Sequence, residues 1–79
     1  MRTLYVGGLP QSTDADMLRG LFSAYGGVEE ARVVRRETTG DSRGFGYVTF
    51  LSDLSAFKAK QALDGSMIEG STLRVDLAR

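Results

Sequence analysis

The chain has 79 residues, with ten basic and ten acidic side chains that cancel, a pI near 6.2, 42% hydrophobic and 25% charged residues. That composition fits one small globular domain rather than a disordered segment, and a chain this short buries only about 60% of the surface it exposes when unfolded. The absence of cysteine excludes a disulfide framework and a thiolate metal site, and the absence of histidine removes the commonest general base and the commonest zinc ligand.

The first strand is expected over Thr3 to Gly7. Leu4 and Val6 point to one face of an extended chain and Tyr5 to the other. Gly7, Gly8 and Pro10 then end the strand. Thr13 reads as a helix N-cap, with Asp14 and Asp16 in the first turn opposing the positive end of the helix dipole. Leu18, Leu21, Phe22 and Tyr25 recur at helical spacing and form a core-facing stripe, which Gly26 and Gly27 terminate. The second strand is expected from Val28 to Arg36, with Ala31 and Val33 towards the helices and Glu30, Arg32 and Val34 on the side of Tyr5. Residues 37–42 make a polar, turn-rich hairpin connection. Arg35 and Arg36 beside it fit a solvated edge and a phosphate contact equally well.

The octapeptide Arg-Gly-Phe-Gly-Tyr-Val-Thr-Phe, from Arg43 to Phe50, is the most informative stretch. As a strand it places Arg43, Phe45, Tyr47 and Thr49 on one face, and Gly44, Gly46, Val48 and Phe50 on the other. An ordinary half-buried sheet keeps its rings inside and its charges outside. Here two rings and a guanidinium share a side, which suits flat bases stacked beside a phosphate backbone.

A second helix starts after Ser52 or Asp53 and runs to about Leu63, with Gly65 as its stop. Ala56, Ala59 and Leu63 form a narrow stripe that allows close approach to a sheet. Lys60 falls on that stripe, so its ammonium must reach out along its stem. Phe57 lies about 100° around the helix, on a flank that should be solvated; a docked partner, a tolerated exposed ring and a cover over the Lys60 stem all fit, and partial burial over that stem is the favoured expectation. Residues 66–71 form a turn or short hairpin leading to a last strand, Thr72 to Leu77. Leu73, Val75 and Leu77 face the core, and Arg74 and Asp76 face the rings.

The order strand-helix-strand-strand-helix-strand implies an α+β, ferredoxin-like βαββαβ sandwich: a four-stranded antiparallel sheet with two helices on one face. The first and third strands are then central neighbours, and Tyr5, Phe45 and Tyr47 meet on the open face.

Two motifs carry a resemblance. The octapeptide from Arg43 resembles the RNP1 motif of the RNA-recognition motif (RRM), departing only at Tyr47, where an aromatic ring is kept. A chance match to its seven specified positions has a probability of about 10⁻⁸ to 10⁻⁷ per starting residue. The hexapeptide Leu4-Tyr5-Val6-Gly7-Gly8-Leu9 resembles the family's RNP2 motif, whose second residue stacks on a base. The resemblance spans nearly the whole chain, 1–79, as a single RRM domain, and is strongest to single-RRM glycine-rich RNA-binding proteins of bacteria and plants, although no glycine-rich tail is present.

The resemblance implies single-stranded RNA as the partner, with single-stranded DNA as a second candidate. Tyr5 and Phe45 would stack on bases, Tyr47 would pack against ribose or base edges, and Arg43 would hold a phosphate. Arg32 and Arg74 would add positive charge to this face, and Arg79, with the main chain around it, would approach base edges. No cofactor and no catalytic or metal site is expected. An acylphosphatase-like activity on the same fold needs a positioned asparagine, and the chain has none. The alternative is an RRM-like protein-interaction module with a partner at the helical face near Phe57. No signal peptide or long apolar run is visible, so the expectation is a monomeric, cytoplasmic protein without membrane association, or a nuclear one in a eukaryote.

Overall fold

The computed structural model describes residues 2–78. In chain order its elements are β1 (Thr3–Gly7), α1 (Ala15–Phe22), β2 (Val28–Arg35), β3 (Ser42–Phe50), α2 (Asp53–Leu63), β4 (Met67–Ile68), β5 (Ser71–Thr72) and β6 (Arg74–Leu77). Four of these strands form one antiparallel sheet in the order β2-β3-β1-β6, so the two motif strands are central neighbours. β4 and β5 make a separate hairpin, turned by Glu69 and Gly70, both with positive φ.

The register decides what each face carries. Leu4 stands opposite Val48, Tyr5 opposite Tyr47 and Gly7 opposite Phe45. On the far side Tyr5 pairs with Asp76 and Val6 with Val75. Because side chains alternate, these pairings send Leu4, Val6, Val48, Phe50 and Val75 to one face, where all are buried. Leu18 and Phe22 of α1 and Ala56, Ala59 and Leu63 of α2 close over them, with Leu9 and Leu73 completing the core. The Phe22 and Phe50 rings meet at 6.3 Å and 54° in its centre. Beneath α2 the alanines allow close approach to the sheet.

Several boundaries differ from the sequence expectation. Asp14, not Thr13, caps α1: its carboxylate accepts from the Met17 N–H at 2.8 Å. Thr13 is buried and its own N–H is held by the Pro10 carbonyl at 3.1 Å, so it belongs to the turn before the helix. After Phe22 the chain tightens into a 3-10 turn, Ser23–Tyr25, and the Ser23 hydroxyl donates to the Arg19 carbonyl. β2 ends at Arg35 rather than Arg36, after an irregularity in pairing between Val33 and Arg35. Arg36 instead closes the following turn, bonding Asp41 and Gly40 through its main chain.

The last strand begins at Arg74, not Thr72. Leu73 interrupts it by bonding Ser66 and Gly65 of the preceding loop through both backbone groups, leaving Thr72 to the small hairpin. α2 has its expected bounds, capped by the Ser52 hydroxyl at 3.1 Å from the Ser55 N–H. Phe57 departs from expectation most. It is 55% exposed beside Leu54, one turn away, and takes no part in the core.

Candidate nucleic-acid interface

The open face of the sheet is built around three rings. Tyr5 and Phe45 lie with centroids 5.8 Å apart and planes inclined at 33°; Tyr47 meets Tyr5 edge-on at 6.1 Å and Phe45 at 6.2 Å. Each ring touches both others, so the cluster holds its shape while leaving outer surfaces partly exposed to solvent. Two guanidinium groups flank it. Arg32, opposite Tyr47 in the register, sits 5.1 Å from that ring's centroid, and Arg43 sits 5.4 Å from the centroid of Phe45. Such cation–π contacts hold charge against the aromatic surface at little desolvation cost.

Two glycines make this geometry possible. A β carbon at Gly7 would stand 2.5 Å from the Tyr5 hydroxyl oxygen, so the ring lies along its own strand in space that a side chain would fill. At Gly46 a β carbon would stand 2.2 Å from the Arg32 carbonyl oxygen, so the glycine permits the close approach of β2 that brings Arg32 to Tyr47.

At the other edge Arg74 pairs with Gly7 and Asp76 with Tyr5. Asp76 uses one carboxylate oxygen to accept the Leu77 N–H at 2.8 Å. Beyond Tyr47 the face continues in the Thr3 and Thr49 hydroxyls, hydrogen-bonded at 2.9 Å. The structure thus brings together six of the expected site residues: Tyr5, Arg32, Arg43, Phe45, Tyr47 and Arg74. The seventh, Arg79, lies outside the described residues. Ala78 before it donates to the Thr3 carbonyl at 2.9 Å, so the chain leaves alongside β1.

Beside the rings, Val34, Arg35, Arg36, Glu37, Thr38 and Arg43 line an open groove of about 440 Å³. Arg35 and Arg36, which in sequence fit a solvated edge as well as a phosphate contact, stand with Arg43 around this one concavity. Arg35 is tethered there to the Gly40 carbonyl at 3.1 Å. At the opposite edge a groove of about 190 Å³ joins Tyr5 and Arg74 to Lys60 and Asp64 of the α2 end. Its sign in the sequence is a lysine on an otherwise apolar helical stripe. No helix among the described residues is long and apolar enough to cross a membrane.

A four-stranded antiparallel sheet that presents interlocked rings edged with arginines, and carries its helices behind, defines an α+β sandwich with an open aromatic face. The family model of the RNA recognition motif matches residues 4–74, and the chain belongs to that family. Glycine-rich RNA-binding protein 3, mitochondrial, of Arabidopsis thaliana is 47% identical over 95% of this chain and 24% of its own length. The 28 kDa ribonucleoprotein, chloroplastic, of Spinacia oleracea is 47% identical over 95% of the chain and 32% of its own length. Among solved structures, RNA binding protein PG1 superposes with a TM-score of 0.95 at 36% identity, over 99% of this chain and 94% of that one. A chain from a Sxl-Lethal protein/RNA complex gives 0.95 at 33% identity, over 99% of this chain and 47% of that one. The chain spans between 24% and 55% of the length of these and similar curated relatives.

Proposed function

We propose that this domain binds single-stranded RNA by stacking bases on its open sheet face. The observation that carries the reading is the three-ring cluster of Tyr5, Phe45 and Tyr47 with Arg32 and Arg43 laid against it. Folding alone gives no reason to keep three rings partly exposed on one surface; stacked bases do. In this reading Tyr5 and Phe45 each receive a base, and Tyr47 packs against the sugar or base edge between them. Arg43 and Arg32 hold phosphates, Arg74 adds charge at the far edge, and Arg79 extends the contact. A relative called a glycine-rich RNA-binding protein and a structural neighbour from a Sxl-Lethal protein/RNA complex support this assignment.

The face uses rings and cations that single-stranded DNA also satisfies, so DNA is a weaker second ligand in this account. The module acts as a monomer, by binding alone and without catalysis. A cytoplasmic location belongs to the same proposal, although several relatives carry mitochondrial or chloroplastic in their names. A protein partner on the helical side is the second reading, favoured by Leu54 and Phe57, which expose 61% and 55% of their surface side by side. An NMR titration with short oligoribonucleotides, repeated with the deoxy equivalents, tests both. Amides of β1 and β3 shift if the sheet binds; shifts confined to α2, or none, contradict the proposal.

A further inference from the structure

Lys60 is misplaced for a core residue. It falls on the stripe of Ala56, Ala59 and Leu63 that α2 buries against the sheet, yet it is only half-buried and lines the groove at the outer edge of β6. That groove has a volume of about 190 Å³, room for part of one nucleotide, and runs from Tyr5 on the open face past Arg74 and Asp76 to Lys60 and Asp64. It therefore begins at a stacking ring and ends on a helix behind the sheet.

Its charges are not equivalent. Asp64 uses one oxygen to accept the Val75 N–H at 2.9 Å, which covers the exposed edge of β6, and Asp76 uses one on the Leu77 N–H at 2.8 Å. Both carboxylates are fixed by these main-chain bonds, and each keeps one acceptor oxygen, the complement of an exocyclic amino group on a nucleobase. The ammonium of Lys60, by contrast, carries no ion pair among the described residues and swings on a flexible stem. A cation left free beside a fixed stacking platform is complementary to a phosphate.

We propose that this groove is an additional nucleotide subsite, in which Lys60 and Arg74 hold the phosphate of the residue that follows the base on Tyr5 around the edge of the sheet. The proposal rests on the stacking reading and extends the RNA path from the sheet face onto α2. Lys60 then has a reason to occupy an apolar position: an aliphatic side chain there would fill the core and leave the groove without its mobile cation.

The test uses oligoadenylates of stepwise increasing length, titrated by fluorescence anisotropy at several salt concentrations against the parent chain, Lys60→Leu, Lys60→Arg and Tyr5→Ala. Leucine suits the buried stripe, and Lys60→Arg keeps the charge if leucine disturbs the fold; melting curves report on both. The expected result is that Lys60→Leu binds the shortest oligomers like the parent but loses the affinity that the parent gains on adding a nucleotide. Its salt slope falls in magnitude by about 0.7, the contribution of one phosphate contact on a single strand, and Lys60→Arg restores both. If Tyr5→Ala weakens binding while Lys60→Leu matches the parent at every length, the subsite is overturned and the stacking reading stands. If Tyr5→Ala also binds like the parent, both fall.

Discussion

The Tyr5 ring lies over Gly7, two residues further along the same strand: a β carbon at Gly7 would stand 2.5 Å from the hydroxyl oxygen and 3.0 Å from the ring carbons Cε2 and Cζ. The obstacle such a carbon would meet is the far end of a side chain, not backbone, so the ring can give way. Gly7→Ala is therefore expected to fold like the parent while lifting Tyr5 out of its angle with Phe45. RNA affinity should fall by part of the stacking energy, about 1 kcal/mol of the roughly 1–3 kcal/mol that one stacked base is worth. Anisotropy titrations paired with thermal melts check this. Unchanged affinity means that the position of the ring over Gly7 is not what bases read.

The opposite face of β3 behaves differently. Phe50 is fully buried against Phe22, so Phe50→Ala removes a ring from the centre of the core. The expected loss is about 3–5 kcal/mol of stability, a large share of what a domain of this size possesses. Denaturant unfolding measures it directly. A variant as stable as the parent would place the wrong face of β3 towards the helices.

Most of the fold was legible because period and punctuation agreed. Leu4, Val6, Val48, Phe50 and Val75 alternate into the core where a two-residue period puts them, and α2 starts after Ser52 and stops before Gly65 as its cap and breaker indicate. The ring cluster was legible for the same reason, since alternation alone puts Phe45 and Tyr47 on one face with Arg43. What escaped was set by tertiary partners. Thr13 has the chemistry of a cap, but Pro10 holds its backbone in a preceding turn and Asp14 takes the role. Thr72 reads as the start of a strand, but Leu73 gives both its backbone groups to the loop at Gly65 and Ser66. Lys60 reads as an imperfection of the stripe because the groove it lines is shared with Tyr5 and Arg74, far away in sequence.

Phe57 illustrates the limit from the other side. A ring near a lysine stem invites the idea of a cover, yet it is exposed next to an exposed Leu54. Phe57→Ser is accordingly expected to change stability by no more than about 0.5 kcal/mol and to leave RNA affinity alone. Thermal melts and anisotropy decide it. A loss of about 1–2 kcal/mol would show that the ring shields the core after all.

Charge on the binding face sets the ionic-strength response. With about two or three phosphates held by Arg32, Arg43 and the Lys60–Arg74 pair, log K against log salt should have a slope between roughly −1.4 and −2.1, far shallower than for proteins that make six or more such contacts on duplex DNA. Arg43→Ala should reduce the magnitude by about 0.7. A steep slope in the parent would bring Arg35 and Arg36, which share the groove with Arg43, into the phosphate contacts.

Bases stacking upon Tyr5 and Phe45 are tested most directly by the RNA affinity of Tyr5→Ala and Phe45→Ala, measured on samples whose melting curves match the parent. Both rings are on the solvent side of the sheet, where truncation costs little packing. Each substitution is expected to weaken binding by about 1–3 kcal/mol, roughly 5- to 150-fold, with the fold retained. Two folded variants that bind RNA as tightly as the parent would contradict the stacking.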